Sequence, residues 1–475
     1  MALPDLIEIV PLSEPVRAEI RVPGSKSITN RALILAALSK GVTKLKGALW
    51  SEDTQIMVEA LQKLGFSVTV ELDPVELCNR TITVIGLGGR VPKGGTKRKP
   101  RELFVGNAGT AARFLAAFVC LGRGFYRLSG VSRMHERPQK PLFEAIREPT
   151  FLERFFSPFS LRTLGYSVES KNGKLPVTIH GDGRRPGAKC NVSIEESSQF
   201  ASALLLCEKT GGWKVKILGD NSDESPYVAM TLKLIESFPK NGGTFKIEPD
   251  ASSGSYFWAI GWLFPTPVNS PEQKTGGISR FDLGLYMQGK ISKPKFFSVR
   301  VFGWPHSDWQ IDQWFPVQLP KPPDFRGVTS RIHDMGDSIM TAITIAPFAK
   351  EACKFTDLGR LRVQETERVV ALRTELTKCG AKVVEEGDTL TVWPSQLHGA
   401  EIETYSDHRM AMCFAVLGLK VPGVKIKNPA CVKKTFPNFF QKLATPPPHG
   451  LGAEIWEIKD GQRTRMLSGE DLFAD

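Results

Sequence analysis

The run Pro23-Gly24-Ser25-Lys26-Ser27-Ile28-Thr29-Asn30-Arg31 sets a lysine and an arginine among small hydroxyl-bearing residues. It lies between a strand-like stretch at 18–22 and an apolar, helix-like stretch at 32–38. Serine and threonine beside such a stretch are good N-caps. A helix start offers free backbone N–H groups and a partial positive charge, and Lys26 and Arg31 add full charge. Phosphate or carboxylate binding fits these residues; an ordinary capped helix with surface cations fits them equally well. The G-x-x-x-x-G-K-[ST] spacing of a P-loop is absent.

The pattern recurs along the chain. Gly106-Asn107-Ala108-Gly109-Thr110-Ala111-Ala112-Arg113 places glycines, which let a ligand approach the backbone, before another apolar run. In His135-Glu136-Arg137-Pro138 the arginine either forks onto an anion or pairs with Glu136 at the surface. Ser197, Ser198 and Gln199 precede an apolar helix, which they can cap or extend toward a phosphate. In Asp334-Met335-Gly336-Asp337-Ser338, Asp337 sits at a helix start, as a cap or as a general base toward a hydroxyl. Within Arg362-Val363-Gln364-Glu365-Thr366-Glu367-Arg368, Glu365 and Arg368 are three apart and share a helix face, the spacing of an ordinary ion pair. Asp407-His408-Arg409-Met410-Ala411-Met412 and Lys433-Lys434-Thr435-Phe436-Pro437 each put cations beside apolar residues. Jointly these are the groups for a substrate with at least two anionic moieties, with carboxylates for acid–base work. G-x-S-x-G, H-E-x-x-H and a G-x-G-x-x-G that opens a helix are all missing.

To hold such residues the chain needs alternating elements. Runs at 18–22, 81–85, 177–180, 213–218 and 389–393 read as strands; runs at 32–38, 56–64, 111–121, 200–207, 338–346 and 369–379 read as helices. Their alternation implies an α/β (α+β) protein built of repeated units, although no close sequence repeat is visible. Two segments break the pattern: 146–160, with two prolines and several aromatics, and 261–297, rich in Pro, Gly and Lys. The tail after Ala444 soon reaches Pro446-Pro447-Pro448 and ends in charged residues, and reads as a loosely packed extension.

A chain of 475 residues exceeds one usual core and suggests two or three domains. The net charge of +12 is compatible with nucleic acid, an anionic membrane or small anions. Much of the excess sits in one loop, at Lys93, Lys97, Arg98, Lys99 and Arg101, with no interleaved aromatics, which disfavours nucleic acid. The eight cysteines are scattered without a C-x-x-C pair or a Cys/His cluster, so no metal site is expected, and they suit a reducing compartment. Neither a signal-peptide pattern nor an apolar stretch of the ~18 residues needed for a membrane span is present, so the expectation is a cytoplasmic protein without a membrane partner.

In order, PGSKSITNR, GNAGTAAR, HERP, SSQF, GDSIMT, RVQETER, DHRMA and KTFP resemble the motifs of the 5-enolpyruvylshikimate-3-phosphate synthase family, from about residue 9 to about residue 443. The resemblance implies two similar globular halves, each of three βαβαββ-type units in an inside-out barrel arrangement, closing on the substrates. It places the first half at 24–249 and the second at 1–23 plus 250–445, with 446–475 as a C-terminal extension. It implies transfer of the enolpyruvyl group of phosphoenolpyruvate to the 5-hydroxyl of shikimate 3-phosphate, releasing phosphate, by a monomer without cofactor or metal. The catalytic residues implied are Lys26, Asp337 and Glu365. Ser27, Arg31, Ser197, Ser198, Gln199, Tyr227 and Gln364 join Lys26 and Asp337 around shikimate 3-phosphate. Asn107, Gly109, Arg137, Arg368, Arg409 and Lys434 join Lys26 and Gln199 around phosphoenolpyruvate. The chain departs from the family where Glu224 replaces a serine, Gln364 a lysine and Phe114 a frequent proline, and where 146–160 interrupts one helix. That insertion leaves open a second reading, a catalytically impaired homologue that binds anionic ligands. A same-fold enzyme for a UDP-amino sugar fits the serine pair less well, and a nucleic-acid binder rests on 93–101 alone.

Overall fold

Several helices of this protein are apolar almost all the way round, and such helices belong inside. In the computed structural model, which describes residues 3–150, 162–219, 225–265, 298–319 and 327–474, every residue from Ile28 to Leu38 of the helix Lys26–Leu38 is buried. So is every residue of Gly109–Phe118 and of Ala251–Leu263. Four- and five-stranded sheets accompany them, and the chain divides into two compact units, Gly24–Glu248 and Met1–Pro23 with Pro249–Asp475.

One topology recurs in both units. Strand Arg101–Phe104 runs parallel to Arg123–Ser129, with the helix Gly109–Phe118 in the connection that parallel pairing demands. Arg123–Ser129 then pairs antiparallel with Val177–Asp182, which pairs antiparallel with Ser167–Glu169. The same order is built by Gly243–Lys246, Lys40–Leu49, Asn79–Leu87 and Val68–Leu72. The other unit repeats it with Gly327–Ser330, Cys353–Thr356, Thr389–Val392 and Val383–Glu386. Once more, Glu401–Ile402 runs parallel to Val424–Lys427, which pairs antiparallel with Leu6–Ile9, and this with Ile455–Lys459. Parallel pairs Lys189–Ser193 with Lys214–Leu218, and Ala18–Ile20 with Val299–Val301, complete the pattern.

Several local expectations change. The first helix begins at Lys26, not Ala32, so the polar run is its first turns rather than a loop before it. Gly261 to Leu263 belong to a buried helix, and 266–297 lie outside the described residues. The helix Lys140–Ile146 stops before the insertion. The chain is back beside it by Leu164, whose N–H donates to the Ala145 carbonyl, while Glu148 donates to Tyr166 and Tyr166 to Ile146. Residues 151–161 and Glu224 are outside the described residues. The tail is not loose: Ile455–Lys459 and Gln462–Met466 form a hairpin on the Leu6–Ile9 strand, and Ile455, Leu467 and Leu472 are buried. Among the described residues no helix is long and apolar enough to cross a membrane, and no cluster of three metal-ligating side chains forms.

Candidate functional site

The candidate residues fall into two clusters, one in each unit. In Gly24–Glu248, the helices Lys26–Leu38, Gly109–Phe118, Ser198–Gly211 and Ser225–Ser237 pack together. Their second turns meet where Arg31 donates from Nε to Thr231 Oγ1 at 2.8 Å and from Nη2 to Ser202 Oγ at 3.2 Å. The same guanidinium lies 5.2 Å from the Phe114 ring centroid, so Phe114 serves as its platform. The helix starts, and their unsatisfied N–H groups, therefore gather at one end. Lys26 is the first residue of its helix and its Nζ lies 3.2 Å from Oδ2 of the buried Asp53. Ser27, partly buried in the same turn, gives its carbonyl to Arg31 Nη1.

At the second helix start, an ideal Cβ on Gly109 would lie 2.9 Å from Arg137 Nη2 and 3.0 Å from Arg113 Nη1. Only a glycine leaves both guanidinium groups where they are. Arg137 donates to the Asn107 carbonyl at 3.3 Å. The surface ion pair weighed for it goes instead to Arg133, which meets Glu136 at 2.7 Å. Arg113 donates to Gln199 Oε1 at 2.6 Å and to the Pro138 carbonyl at 3.1 Å, tying the second helix start to the third. There Ser197 is the N-cap, accepting from the Gln199 N–H at 3.3 Å, with Ser198 buried beside it. Tyr227 is half-buried on the helix Ser225–Ser237 and its carbonyl accepts from Thr231.

The second cluster is a continuous network. Asp337, in a short turn before the helix Ile339–Ile345, accepts on Oδ1 from Arg331 Nε at 3.2 Å and Nη2 at 2.8 Å. Its Oδ2 lies 3.7 Å from Arg409 Nη2 and 3.8 Å from Arg368 Nη1. Arg368 reaches Glu365 Oε2 at 2.9 Å, Gln364 Oε1, and both oxygens of Asp407 at 2.7 and 3.2 Å. Glu365 meets Lys434 Nζ at 3.3 Å through its other oxygen. The helix begins at Arg368, so Glu365 is in the turn ahead of it and not on a helix face. Gln364, in the place of a lysine, accepts from Arg368, which a lysine is unable to do. Asp407 also caps the helix His408–Gly418, accepting from the Arg409 N–H at 2.8 Å.

Burial opposes ionisation of Asp337, but the guanidiniums of Arg331, Arg409 and Arg368 outweigh it and hold the carboxyl well below the usual range. Asp312, which accepts from the Ser338 N–H at 2.9 Å, is the converse. Burial pushes it up to about 6, despite the opposing pull of Arg409. The two clusters thus offer fixed cations for anionic groups and carboxylates held among them. Asp53, Arg113, Arg331 and Asp312 escaped sequence reasoning. Of these only Arg113 lay inside a recognised motif.

The family profile of EPSP synthase (3-phosphoshikimate 1-carboxyvinyltransferase) matches residues 10–241 and 236–443. The 3-phosphoshikimate 1-carboxyvinyltransferase of Nostoc punctiforme is 34% identical over 460 residues, covering 92% of this chain and 98% of that protein. The enzyme of the same name from Laribacter hongkongensis is 36% identical over 465 residues, covering 93% and 99%. Among solved structures, EPSP synthase from Acinetobacter baumannii superposes with a TM-score of 0.63 at 19% identity, over 95% of this chain and all of that one (100%). The enolpyruvyl transferase NikO from Streptomyces tendae gives 0.58 at 14% identity, over 95% and 98%, and these two likenesses speak for the fold. A profile match over nearly the whole chain, joined to full-length relatives above 30% identity, settles the kinship: this chain belongs to the EPSP synthase family.

Proposed function

We propose that the chain is a 3-phosphoshikimate 1-carboxyvinyltransferase, joining the enolpyruvyl group of phosphoenolpyruvate to the 5-hydroxyl of shikimate 3-phosphate and releasing phosphate. The observation that carries this beyond kinship is the pair Asp337 and Glu365, two carboxylates interleaved with Arg368, Arg409 and Lys434. The reaction needs that combination, because a hydroxyl must lose a proton while a methylene carbon gains one beside two phosphates and a carboxylate. In this reading Asp337 takes the 5-hydroxyl proton and Glu365 handles the proton at the methylene. Arg368, Arg409, Lys434, Asn107, Gly109 and Arg137 hold phosphoenolpyruvate. Ser197 and Ser198, with the N–H groups of the helix they open, hold the 3-phosphate. Ser27, Arg31, Tyr227 and Gln364 fix the ring, while Lys26 and Gln199 serve both ligands. Residues 24–249 are then the shikimate 3-phosphate side. The enzyme works as a cytoplasmic monomer on these two small molecules alone. Phosphate release from purified protein, with each substrate omitted in turn, tests this: release must require both. Folded protein that releases none would favour the impaired homologue.

A further inference from the structure

We infer that Arg331 is a positioning residue for the acid–base step, occupying Oδ1 of Asp337 so that Oδ2 is the oxygen that receives the substrate proton. The inference rests on the assignment of Asp337 as the base. Its ground is an asymmetry. Both hydrogen bonds that Asp337 accepts from Arg331, at 3.2 and 2.8 Å, end on Oδ1. Among the described residues Oδ2 accepts no hydrogen bond; the nearest cations, Arg409 and Arg368, stand 3.7 and 3.8 Å away.

Arg331 is itself well fixed. It opens a π-helical turn whose N-cap, Ser330, accepts from the N–H groups of Ile332 and His333. The Ser330 hydroxyl donates to Asp357 at 2.6 Å and its N–H donates to Asp334 at 2.8 Å. The Arg331 side chain is only 2% exposed, and its Nε and Nη2 are both spent on Asp337, so its action is through that carboxylate. On the far side, Asp312 accepts the Ser338 N–H and holds the backbone next to Asp337.

The arrangement also makes the base respond to its substrate. Arg331, Arg368 and Arg409 lower the affinity of Asp337 for a proton, while Asp312 and burial act the other way. Asp250 caps the neighbouring helix and Glu365 and Asp407 face Arg368. Arg368 and Arg409 are the residues assigned to phosphoenolpyruvate, and an anion there offsets their charge. Asp337 then becomes more basic when its reaction partner is present, and Arg331 remains the one cation bonded to it throughout. In the step itself the hydroxyl proton passes to Oδ2, the hydroxyl oxygen bonds C2 of phosphoenolpyruvate, and the C2=C3 electron pair takes a proton from Glu365 at C3; phosphate then leaves C2 as C3 gives a proton back and the double bond re-forms.

The experiment is the pH dependence of kcat and of KM for both substrates in Arg331→Met and Arg331→Lys, beside Asp337→Asn. Arg331→Met should lower kcat about 100-fold, the scale of a misplaced catalytic group, with both KM values within about threefold. Loss of the cation should move the acid limb of kcat upward by about 1 pH unit or more. Lysine keeps a charge but not the fork, and should restore about tenfold of the loss. An acid limb that stays in place in both variants would overturn the inference and leave Arg331 a structural residue. If Arg331→Met fails to fold, Arg331→Gln, which also removes the charge, supplies the acid limb that decides. Asp337→Asn reports separately: retention of more than about a tenth of kcat, against the 100-fold or more expected for a lost base, would remove Asp337 as the base whatever Arg331 does.

Discussion

Replacing Asp407 by alanine and by asparagine should separate two jobs that this carboxylate performs at once. It is wholly buried, takes both hydrogen bonds of an Arg368 fork at 2.7 and 3.2 Å, and caps a helix through the Arg409 N–H at 2.8 Å. Alanine removes both functions. Breaking a buried pair costs about 3–5 kcal/mol. Arg368 keeps Glu365 at 2.9 Å, so the lower figure applies. Loss of the cap adds about 1 kcal/mol, for a total of about 4 kcal/mol. Asparagine still caps and still accepts once from Arg368 through its one oxygen, losing the second bond of the fork and its charge assistance, about 1–2 kcal/mol. Urea denaturation followed by tryptophan fluorescence reads this directly, because seven of the nine tryptophans lie in the unit that contains Asp407. With a slope of about 2–3 kcal/mol per molar, the alanine midpoint should fall by about 1.5–2 M and the asparagine midpoint by about 0.5 M. Equal shifts below about 0.3 M for both variants would refute the argument, since they would mean that Arg368 is satisfied without Asp407.

Three further outcomes are expected. Asp312 has its proton affinity raised on folding, so its contribution to stability is complete below about pH 4 and is lost as pH rises through about 6. Asp312→Asn keeps the acceptor for the Ser338 N–H and should stabilise the protein by about 2–3 kcal/mol at pH 8, with the gain disappearing by pH 4; equal thermal shifts at both pH values would exclude this. Gly109→Ala places a methyl 2.9 Å from Arg137 Nη2 and should raise KM for phosphoenolpyruvate about tenfold. The helix itself should be slightly strengthened, and an unchanged KM in steady-state kinetics would show that Arg137 moves freely. Deleting residues 446–475 strips Ile455, Leu467 and Leu472 from the core. At about 1.5–3 kcal/mol each, their loss rivals the whole stability of a domain, and a truncated protein with the parent's urea midpoint would contradict it.

Local patterns told much of this story. The α/β class follows from alternating runs, and Lys26, Gly109, Ser198 and Arg409 are legible because each stands where a buried helix begins. What the patterns hid was set by distant partners. Lys26 to Arg31 read as a turn because a buried helix shows no amphipathic period, and Arg31 inside it is satisfied in part by Thr231 and Ser202, 200 and 171 residues away. Arg331 and Asp312 carry no motif, and their importance lies in which carboxylate or N–H they meet. The tail misled for a similar reason. Its prolines and charges conceal a hairpin whose apolar face is complementary to a strand at the opposite end of the chain.

That strand has a consequence for how the molecule is born. Leu6–Ile9 occupies the middle of its sheet, between Val424–Lys427 and Ile455–Lys459. A ribosome adding about 5–20 residues per second would release it roughly 20–90 s before its neighbours exist. Meanwhile Gly24–Glu248, contiguous in sequence, has everything it needs to fold. Equilibrium barely notices the separation, since closure entropy grows only with the logarithm of loop length. Biogenesis does: an unpaired apolar strand waits through most of translation, and there a holding chaperone would find its client.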